Sequence, residues 1–289
     1  MIDQDYPSIN SLLESKQHTD QVPAKDNRQL SPAYLRWILS RVRRAIKDFS
    51  LIEPNDRIAV GVSGGKDSIA LLHLLARLRS YRGFNFELIP IHLSLGWEGL
   101  GLTRPELSPQ QQYCANLNLP LYIENTQIAE IVFVARQESN PCSLCAKMRR
   151  GALHNTALAL GCNKVALGHH ADDVVETLFL NLFYTGKLGT FSPRTYLSKK
   201  NLVLIRPLVY LPERTLQSLT RSLNLPIIVN PCPASGQTKR QEMKKIVSFL
   251  ESRYPDVREK VLTALGNRDL DEQWLRSGRR RGKIDSHAD

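Results

Sequence analysis

Short apolar runs alternate with helical patterns along most of the chain. Five runs rich in apolar and β-branched residues have the length of buried strands, at 57–62, 86–92, 121–124, 164–168 and 202–208. Apolar residues recur at helical spacing at 32–49, 67–80, 106–117, 144–160, 173–184, 213–223 and 238–254. This alternation predicts an α/β fold, with a parallel five-stranded sheet, helices on both faces, an N-terminal helix and a C-terminal helical extension.

The two ends of the chain lack this alternation. Residues 1–30 are polar and without periodicity, which indicates a flexible N-terminal arm. Residues 31–255 are expected to form one domain that includes the N-terminal helix and the C-terminal helices. Residues 256–289 are interpreted as a last helix followed by a basic, disordered tail, because the final segment RSGRRRGKIDSHAD is densely charged.

The net charge of the chain indicates what kind of partner it binds. The formal net charge is +11 and the pI is about 9.5. A polyanion such as RNA accounts for this excess better than a small metabolite does, because Lys and Arg displace counterions from phosphates. One face of the predicted helix 32–49 is basic, and it is either a phosphate-binding surface or a solvated face; its cations are Arg36, Arg41, Arg43, Arg44 and Lys47.

The cysteines indicate a reducing compartment. No apolar run is long enough to span a membrane, and the N-terminus lacks the layout of a signal peptide, so we expect a cytoplasmic protein. The cysteines are odd in number, which argues against a full disulfide framework; they are Cys114, Cys142, Cys145, Cys162 and Cys232.

A glycine-rich loop follows the first predicted strand directly and precedes a helix. Its sequence is Ser63-Gly64-Gly65-Lys66-Asp67-Ser68. Two glycines let the backbone approach a ligand closely, and the start of the following helix offers unpaired N–H groups to phosphate. The spacing differs from that of a Walker A loop. We expect this loop to bind phosphate, with Lys66 neutralising charge on a departing pyrophosphate.

An acidic segment follows the fourth predicted strand. It reads Gly168-His169-His170-Ala171-Asp172-Asp173, and Glu176 stands one helical turn after Asp173. Alone, it is either a metal site or a capped helix start. With a phosphate loop upstream in the sequence, the carboxylates of this segment suit Mg²⁺, which takes oxygen ligands.

Three cysteines have the spacing and the surroundings of a metal site. Cys142 and Cys145 form a CxxC pair at the start of a predicted helix with basic residues in its first turns, and Cys232 lies later, between two prolines. Three thiolates can hold three irons of a [4Fe–4S] cluster and leave the fourth open; zinc and a redox pair are the alternatives. Cys114 and Cys162 are expected to be buried hydrophobic residues.

Several segments resemble one family of known proteins. The loop SGGKDS matches the signature of the PP-loop, or N-type ATP pyrophosphatase, family, and GHHxDDxxET resembles its second motif. The segments PCSLCAKMRRGALHNTA, IRPLVY and PCPASGQTKRQEMK are similar to those of tRNA 2-thiocytidine synthetases of the TtcA type. The resemblance extends from about residue 58 to residue 254. It departs from the family pattern at Ser235, where members often have a further cysteine, and at Ala171, a place often filled by Arg.

The resemblance implies a complete activity. ATP and Mg²⁺ would adenylate the C2 oxygen of an anticodon-loop cytidine, position 32, in a PP-loop fold of the adenine nucleotide alpha-hydrolase-like class, and sulfur would replace the oxygen. It implies catalytic roles for Lys66, Asp67 and Asp172. ATP would be bound by Ser63, Gly64, Gly65, Lys66, Asp67, Ser68, His92, Gly168, His169 and Asp173. Mg²⁺ would be held by Asp172 and Asp173, and a [4Fe–4S] cluster by Cys142, Cys145 and Cys232.

The resemblance also bears on partners and on rival functions. The expected partners are tRNA and a sulfur donor, either a cysteine desulfurase or sulfide, with no membrane and with a homodimer as one assembly state. The first alternative is a ligase like tRNA lysidine synthetase, which has no use for three cluster cysteines. The second is a non-catalytic tRNA-binding iron–sulfur protein, which has no need of an intact phosphate loop.

Overall fold

The computed structural model describes residues 30–81, 83–137, 141–234 and 239–267. Its strands are β1 (Asp56–Gly61), β2 (Phe86–Ser94), β3 (Tyr122–Asn125), β4 (Lys164–Ala166), β5 (Arg194–Leu197) and β6 (Leu202–Ile205). Its longer helices are α1 (Pro32–Asp48), α2 (Lys66–Arg79), α3 (Ser108–Asn116), α4 (Pro141–Ala159), α5 (Ala171–Thr185), α6 (Glu213–Ser222), α7 (Lys239–Arg253) and α8 (Val257–Gly266).

The strands form one sheet in the order β3-β2-β1-β4-β6-β5. All neighbours are parallel except β5 and β6, which are antiparallel. The predicted α/β class is therefore confirmed, but the predicted number of five strands is wrong. The sixth strand, β5, was missed because its four residues Arg-Thr-Tyr-Leu alternate between exposed and half-buried positions at the sheet edge and form no apolar run.

Helices cover both faces of the sheet. Alternate residues of β1 point to opposite sides: Ile58 and Val60 pack into the larger core with α1, α2 and α6, whereas Ala59 packs into a second core with Leu153 of α4. Such burial on both faces is what makes the parallel strands read as continuous apolar runs.

The chain order of the strands reverses beside β1. The chain passes from β1 to β2 and β3 on one side, and to β4 and β6 on the other. In open α/β sheets, such a reversal leaves a crevice at the carboxyl ends of the strands, where ligands bind.

A buried lysine ties the segment before β1 to the rest of the sheet. Lys164 at the start of β4 is 2% exposed, and its Nζ lies 2.8 Å from carboxylate oxygens of both Glu53 and Asp56. It also donates to the carbonyl oxygen of Leu51 at 3.2 Å. A buried ammonium is tolerated because it is paired in this way, so the connection from α1 to β1 is held in place.

The ends of the chain are only partly described. The predicted arm 1–30 lies outside the described residues except for its last one, and so does the predicted tail from 268 onward. The last helix that we expected after residue 255 is α8. The division into arm, domain and tail stays a prediction. Within the described ranges, no helix is long and apolar enough to cross a bilayer.

Candidate active site

A cleft of about 530 Å³ opens at the carboxyl ends of the parallel strands. Its floor comes from the segments that follow β1, β2 and β4 and from Arg206 just after β6. Seven of the predicted site residues line it: Ser63, Asp67, Ser68, His92, Gly168, His169 and Asp173. The volume lies within the usual range for a small-molecule site.

The loop between β1 and α2 is shaped by its own two serines. The Ser68 hydroxyl accepts a hydrogen bond from the Ser63 N–H at 3.1 Å and donates to the Gly65 carbonyl at 2.8 Å. Its proton is therefore used inside the loop, so Ser68 shapes the loop in addition to lining the cleft. Gly64 has a φ of +95°, a conformation that favours glycine, and its carbonyl accepts from the Ile228 N–H at 2.9 Å.

Gly168 allows the second motif to approach the phosphate loop. A Cβ at this position would lie 2.9 Å from the carbonyl carbon and oxygen of Asp67, closer than side-chain carbons are found. Glycine is therefore required for packing here, in addition to lining the cleft.

Two carboxylates face the cleft together. Asp67 and Asp173 both line it, and Nε2 of His170 lies 3.8 Å from Asp67 Oδ1 and 3.5 Å from Asp173 Oδ2. Asp67 Oδ1 is buried without a hydrogen-bond partner, a costly state unless a ligand completes it. These oxygens fit Mg²⁺, which takes one or two protein carboxylates beside substrate phosphates.

Asp172 does not line the cleft, which contradicts its predicted place there. Its Oδ2 accepts from the backbone N–H of Glu213 at 2.6 Å, and its Oδ1 is ion-paired with Arg258 Nη1 at 2.7 Å. Burial raises the pKa of Asp172, but contact with His170, the Glu213 N–H and the charge of Arg258 outweigh it and lower the pKa to about 2. Both oxygens of Asp172 thus join α5 to α6 and α8. Asp173 faces the cleft instead, because side chains of consecutive helical residues point in different directions.

Lys66 lies at the start of α2, between two carboxylates. Its Nζ is 3.0 Å from Asp67 Oδ2 and 2.9 Å from Glu213 Oε1. Burial lowers the pKa of Lys66, but Asp67 and Glu213 outweigh this and raise it, so the side chain is charged. Gly64, Gly65 and Lys66 are not among the residues that line the cleft, but the Lys66 ammonium contacts the carboxylate of Asp67, which does line it.

Two histidines of the cleft are neutral. His92 Nδ1 donates to the Val62 carbonyl at 2.9 Å, which leaves Nε2 as an acceptor, and burial lowers the pKa of His92. Burial also lowers the pKa of His169, to about 4, and its ring lies 4.9 Å from that of Phe191. Neutral rings at these positions suit contact with an uncharged base.

Two of the three predicted cluster cysteines lie in one apolar cluster beside the cleft. Cys145 and Cys232 pack against one apolar cluster built around Leu95, Trp97 and Val132. Cys142 is exposed at the start of α4. Burial raises the pKa of the Cys145 thiol; the charge of Arg149 opposes this rise, and Cys232 and Cys142 add to it.

Residues next to Cys145 and Cys232 line the same cleft as the phosphate loop. Trp97 belongs to the apolar cluster of the cysteines and also lines the cleft. Ala146, next to Cys145, and Asn230, which accepts from the Cys232 N–H at 3.2 Å, line it as well. Among the described residues, no three His, Cys, Asp or Glu side chains are close enough to hold a single metal ion.

Comparison with known proteins decides the family. The chain matches the PP-loop domain family over residues 38–248. It is 41% identical over 235 residues to tRNA-cytidine(32) 2-sulfurtransferase from Pelobacter propionicus, covering 80% of this chain and 86% of that protein. A relative of the same name from Syntrophotalea carbinolica is 42% identical over 235 residues, covering 80% and 89%. The chain belongs to the tRNA-cytidine(32) 2-sulfurtransferase family of PP-loop proteins.

The fold agrees with this membership. The U34-tRNA thiolase NcsA from Methanococcus maripaludis, solved with its [4Fe-4S] cluster, matches with a TM-score of 0.64 and 24% identity, over 83% of this chain and 82% of that one. At this identity the likeness concerns the fold. The family predicted from the sequence motifs is therefore confirmed.

Sequence reasoning missed the arginines of this family member's cleft, which are Arg104, Arg149, Arg150, Arg206 and Arg240. Arg206 is buried and stacks on the Phe191 ring at 5.0 Å. Its Nη1 donates to the Ser192 carbonyl at 2.6 Å and lies 3.3 Å from the Thr195 hydroxyl of β5. The motif IRPLVY in the sequence could have drawn attention to Arg206. No local pattern marks Glu213, whose carboxylate pairs with Lys66.

Proposed function

We propose that this protein is an ATP-dependent tRNA sulfurtransferase that replaces the C2 oxygen of cytidine 32 with sulfur. One observation carries the proposal: Cys145 and Cys232 pack against an apolar cluster whose Trp97 lines the same cleft as the phosphate loop. A base inserted into this cleft would meet an activating site and a sulfur site without having to move between them.

Activation of the base uses the phosphate loop. The backbone N–H groups at the start of α2 bind the phosphates of ATP, and the positive charge of Lys66 favours departure of pyrophosphate. The C2 oxygen of the base attacks the α-phosphorus, the bond between the α-phosphorus and the bridging oxygen breaks, and AMP is joined to the base. Asp67 and Asp173 would hold Mg²⁺, which supplies charge stabilisation at the phosphates when it is bound. Asp172, whose oxygens are engaged elsewhere, is assigned a positioning role.

Sulfur replaces the activated oxygen at the cysteine side of the cleft: sulfide attacks C2 of the base, the bond between C2 and the adenylated oxygen breaks, and AMP leaves with that oxygen. Cys142, Cys145 and Cys232 would hold a [4Fe–4S] cluster, which when bound supplies an iron without a protein thiolate where sulfide can bind. The surrounding apolar cluster excludes water, which would otherwise hydrolyse the adenylated base. We propose sulfide, free or delivered by a cysteine desulfurase, as the sulfur source.

The tRNA partner is supported by charge and by shape. The net charge is +11, and the exposed side of α1 presents Arg36, Arg43, Arg44 and Lys47. A second cavity, of about 680 Å³, opens beside the last turns of α1. Cations on one face of a helix fit the phosphates of an RNA backbone.

The function is tested on tRNA from a strain that lacks this protein. We expect 2-thiocytidine at position 32 to be absent by nucleoside mass spectrometry and to return with the wild-type gene. Lys66→Ala should restore none of it although the variant folds, because the leaving pyrophosphate loses its counter-charge. Lys245→Ala, at an exposed position of α7, is the matched control. Normal 2-thiocytidine with a folded Lys66→Ala variant would refute the assigned role of Lys66.

The cysteines are tested by metal analysis of protein purified without oxygen. Single Ser variants at Cys142, Cys145 and Cys232 should lose iron, inorganic sulfide and thiolation together. Ser at Cys114 or Cys162, which lie buried away from the cleft, should retain all three. Stoichiometric zinc without iron in the wild-type protein would overturn the cluster and leave only the ATP site.

A further inference from the structure

A carboxylate outside the known motifs holds the lysine of the phosphate loop. Glu213 is the first residue of α6, and its Oε1 lies 2.9 Å from Lys66 Nζ. An ammonium group has three N–H donors. Asp67 and Glu213 occupy two of them, so the direction of the third is determined by these two partners.

Glu213 is itself fixed from the opposite side. Lys244 of α7 donates to both of its oxygens, at 3.0 and 2.7 Å, and the side chain of Glu213 is only 13% exposed. Its backbone N–H donates to Asp172 Oδ2 at 2.6 Å, and Arg258 of α8 pairs with the other oxygen of Asp172. Helices α5, α7 and α8 thus determine where the Glu213 carboxylate lies.

We propose that Glu213 is a positioning residue for Lys66, which holds the ammonium so that its third N–H faces the phosphates of ATP. Without Glu213, Lys66 pairs with Asp67 alone and competes with Mg²⁺ for that carboxylate. Through Glu213, the helices after the α/β sheet take part in ATP binding. The inference rests on the proposed use of ATP and adds a residue to that site.

The rival role for Glu213 is a purely structural one, as a link between α6 and α7. The two roles predict different effects of Glu213 on the affinity for ATP. A structural link changes the stability of the fold and leaves the ATP affinity of the folded protein unchanged. A positioning residue changes ATP affinity only while Lys66 is present.

The experiment measures equilibrium binding of Mg·ATP to Glu213→Gln, Lys66→Met and the double variant, below their thermal midpoints. Gln keeps the shape of the side chain and one acceptor oxygen but removes the charge. We expect Glu213→Gln to weaken binding about tenfold to a hundredfold, because charge-assisted hydrogen bonds are roughly twice as strong as neutral ones. The double variant should bind no more weakly than Lys66→Met. Glu242→Gln is the matched control, since Glu242 joins α7 to Tyr184 of α5 at the protein surface.

Two results would overturn the inference: unchanged Mg·ATP affinity in folded Glu213→Gln, or losses that simply add in the double variant. If Glu213→Gln does not fold, Lys244→Met removes the support but keeps the charge of Glu213. Lys244→Met should then weaken binding of Mg·ATP a few-fold, and an unchanged affinity would count against the positioning role of Glu213. Wild-type protein that binds Mg·ATP but does not thiolate tRNA would overturn the proposed function alone, because this coupling is measured on ATP binding.

Discussion

Asp172 and Asp173 are adjacent carboxylates with different surroundings. Asp173 lines the cleft and accepts a hydrogen bond from the His170 backbone N–H at 3.0 Å. Asp172 is enclosed by Arg258 and by the start of α6. The proposed contact with Mg²⁺ is therefore assigned to Asp173, which lines the cleft, whereas both oxygens of Asp172 are engaged in contacts with other helices.

Substitution of each carboxylate by its amide separates these roles. Asp173→Asn should weaken Mg·ATP binding at least tenfold with little change in stability, because Asn can still cap the helix but ligates Mg²⁺ poorly. Asp172→Asn should lower the free energy of unfolding by about 1–3 kcal/mol, because Arg258 Nη1 loses its charged partner in a largely buried position and keeps only the pairing of its Nε with Glu251. Urea denaturation and equilibrium ATP binding give the two readouts, and identical behaviour of the two variants would contradict this assignment.

Helix α3 carries a side chain that ties two parts of the site together. Gln110 is 0% exposed, and its Nε2 lies 3.1 Å from the Pro226 carbonyl and 3.4 Å from the Gly64 carbonyl. Gly64 belongs to the phosphate loop, and Pro226 begins the segment that continues to Cys232. Strand β5 acts in a similar way, since Thr195 supports Arg206 at the other side of the cleft.

Gln110→Leu tests this connection. The change removes two hydrogen bonds in a buried place, so we expect the free energy of unfolding to fall by about 1–3 kcal/mol. Amide hydrogen exchange should become faster both in the phosphate loop and in the segment before Cys232. Gln112→Leu on the same helix, at an exposed position paired with Asn116, is the control and should change stability by less than about 0.5 kcal/mol. Faster exchange in only one of the two segments would show that Gln110 does not join them.

The basic face of α1 and the cleft lie at opposite ends of the strands. The cavity beside α1 is lined by Arg43, Arg44 and Lys47, and also by Glu53 and Phe84, which precede β1 and β2. The cleft lies at the carboxyl ends of the same strands. An RNA that contacts both must therefore extend along the molecule, which suits an anticodon arm better than a short oligonucleotide.

Charge reversal of Arg43 and Arg44 to Glu should weaken binding of many tRNAs about tenfold or more and reduce the salt dependence of binding, because phosphate contacts carry no sequence information. Binding of Mg·ATP should stay unchanged, since the substitutions lie at the ends of the strands opposite to the cleft. The double variant Arg221→Glu/Arg253→Glu makes the same charge change on α6 and α7 and should have a smaller effect. A wild-type affinity for tRNA that is the same at low and high salt would exclude this surface as the binding site.

Local patterns in the sequence determined the elements and the family. A helical or strand period depends on residues close together in the chain, so α1, α2, β1 and the loop between them could be predicted, as could the motif at Gly168. Only four exposed or half-buried residues form β5, and no local pattern distinguishes them from a loop.

Tertiary packing decided which of these residues meet. Cys232 packs into the same apolar cluster as Cys145 because the segment after α6 returns to the cleft, where Gly64 and Gln110 hold it. Asp172 and Asp173 are equivalent as sequence, and they differ because the helix turns by about 100° between them and directs one toward α8. The pairing of Lys66 with Glu213 spans most of the domain in sequence. Long-range contacts of this kind depend on how the helices pack on the sheet, and no spacing in the chain encodes them.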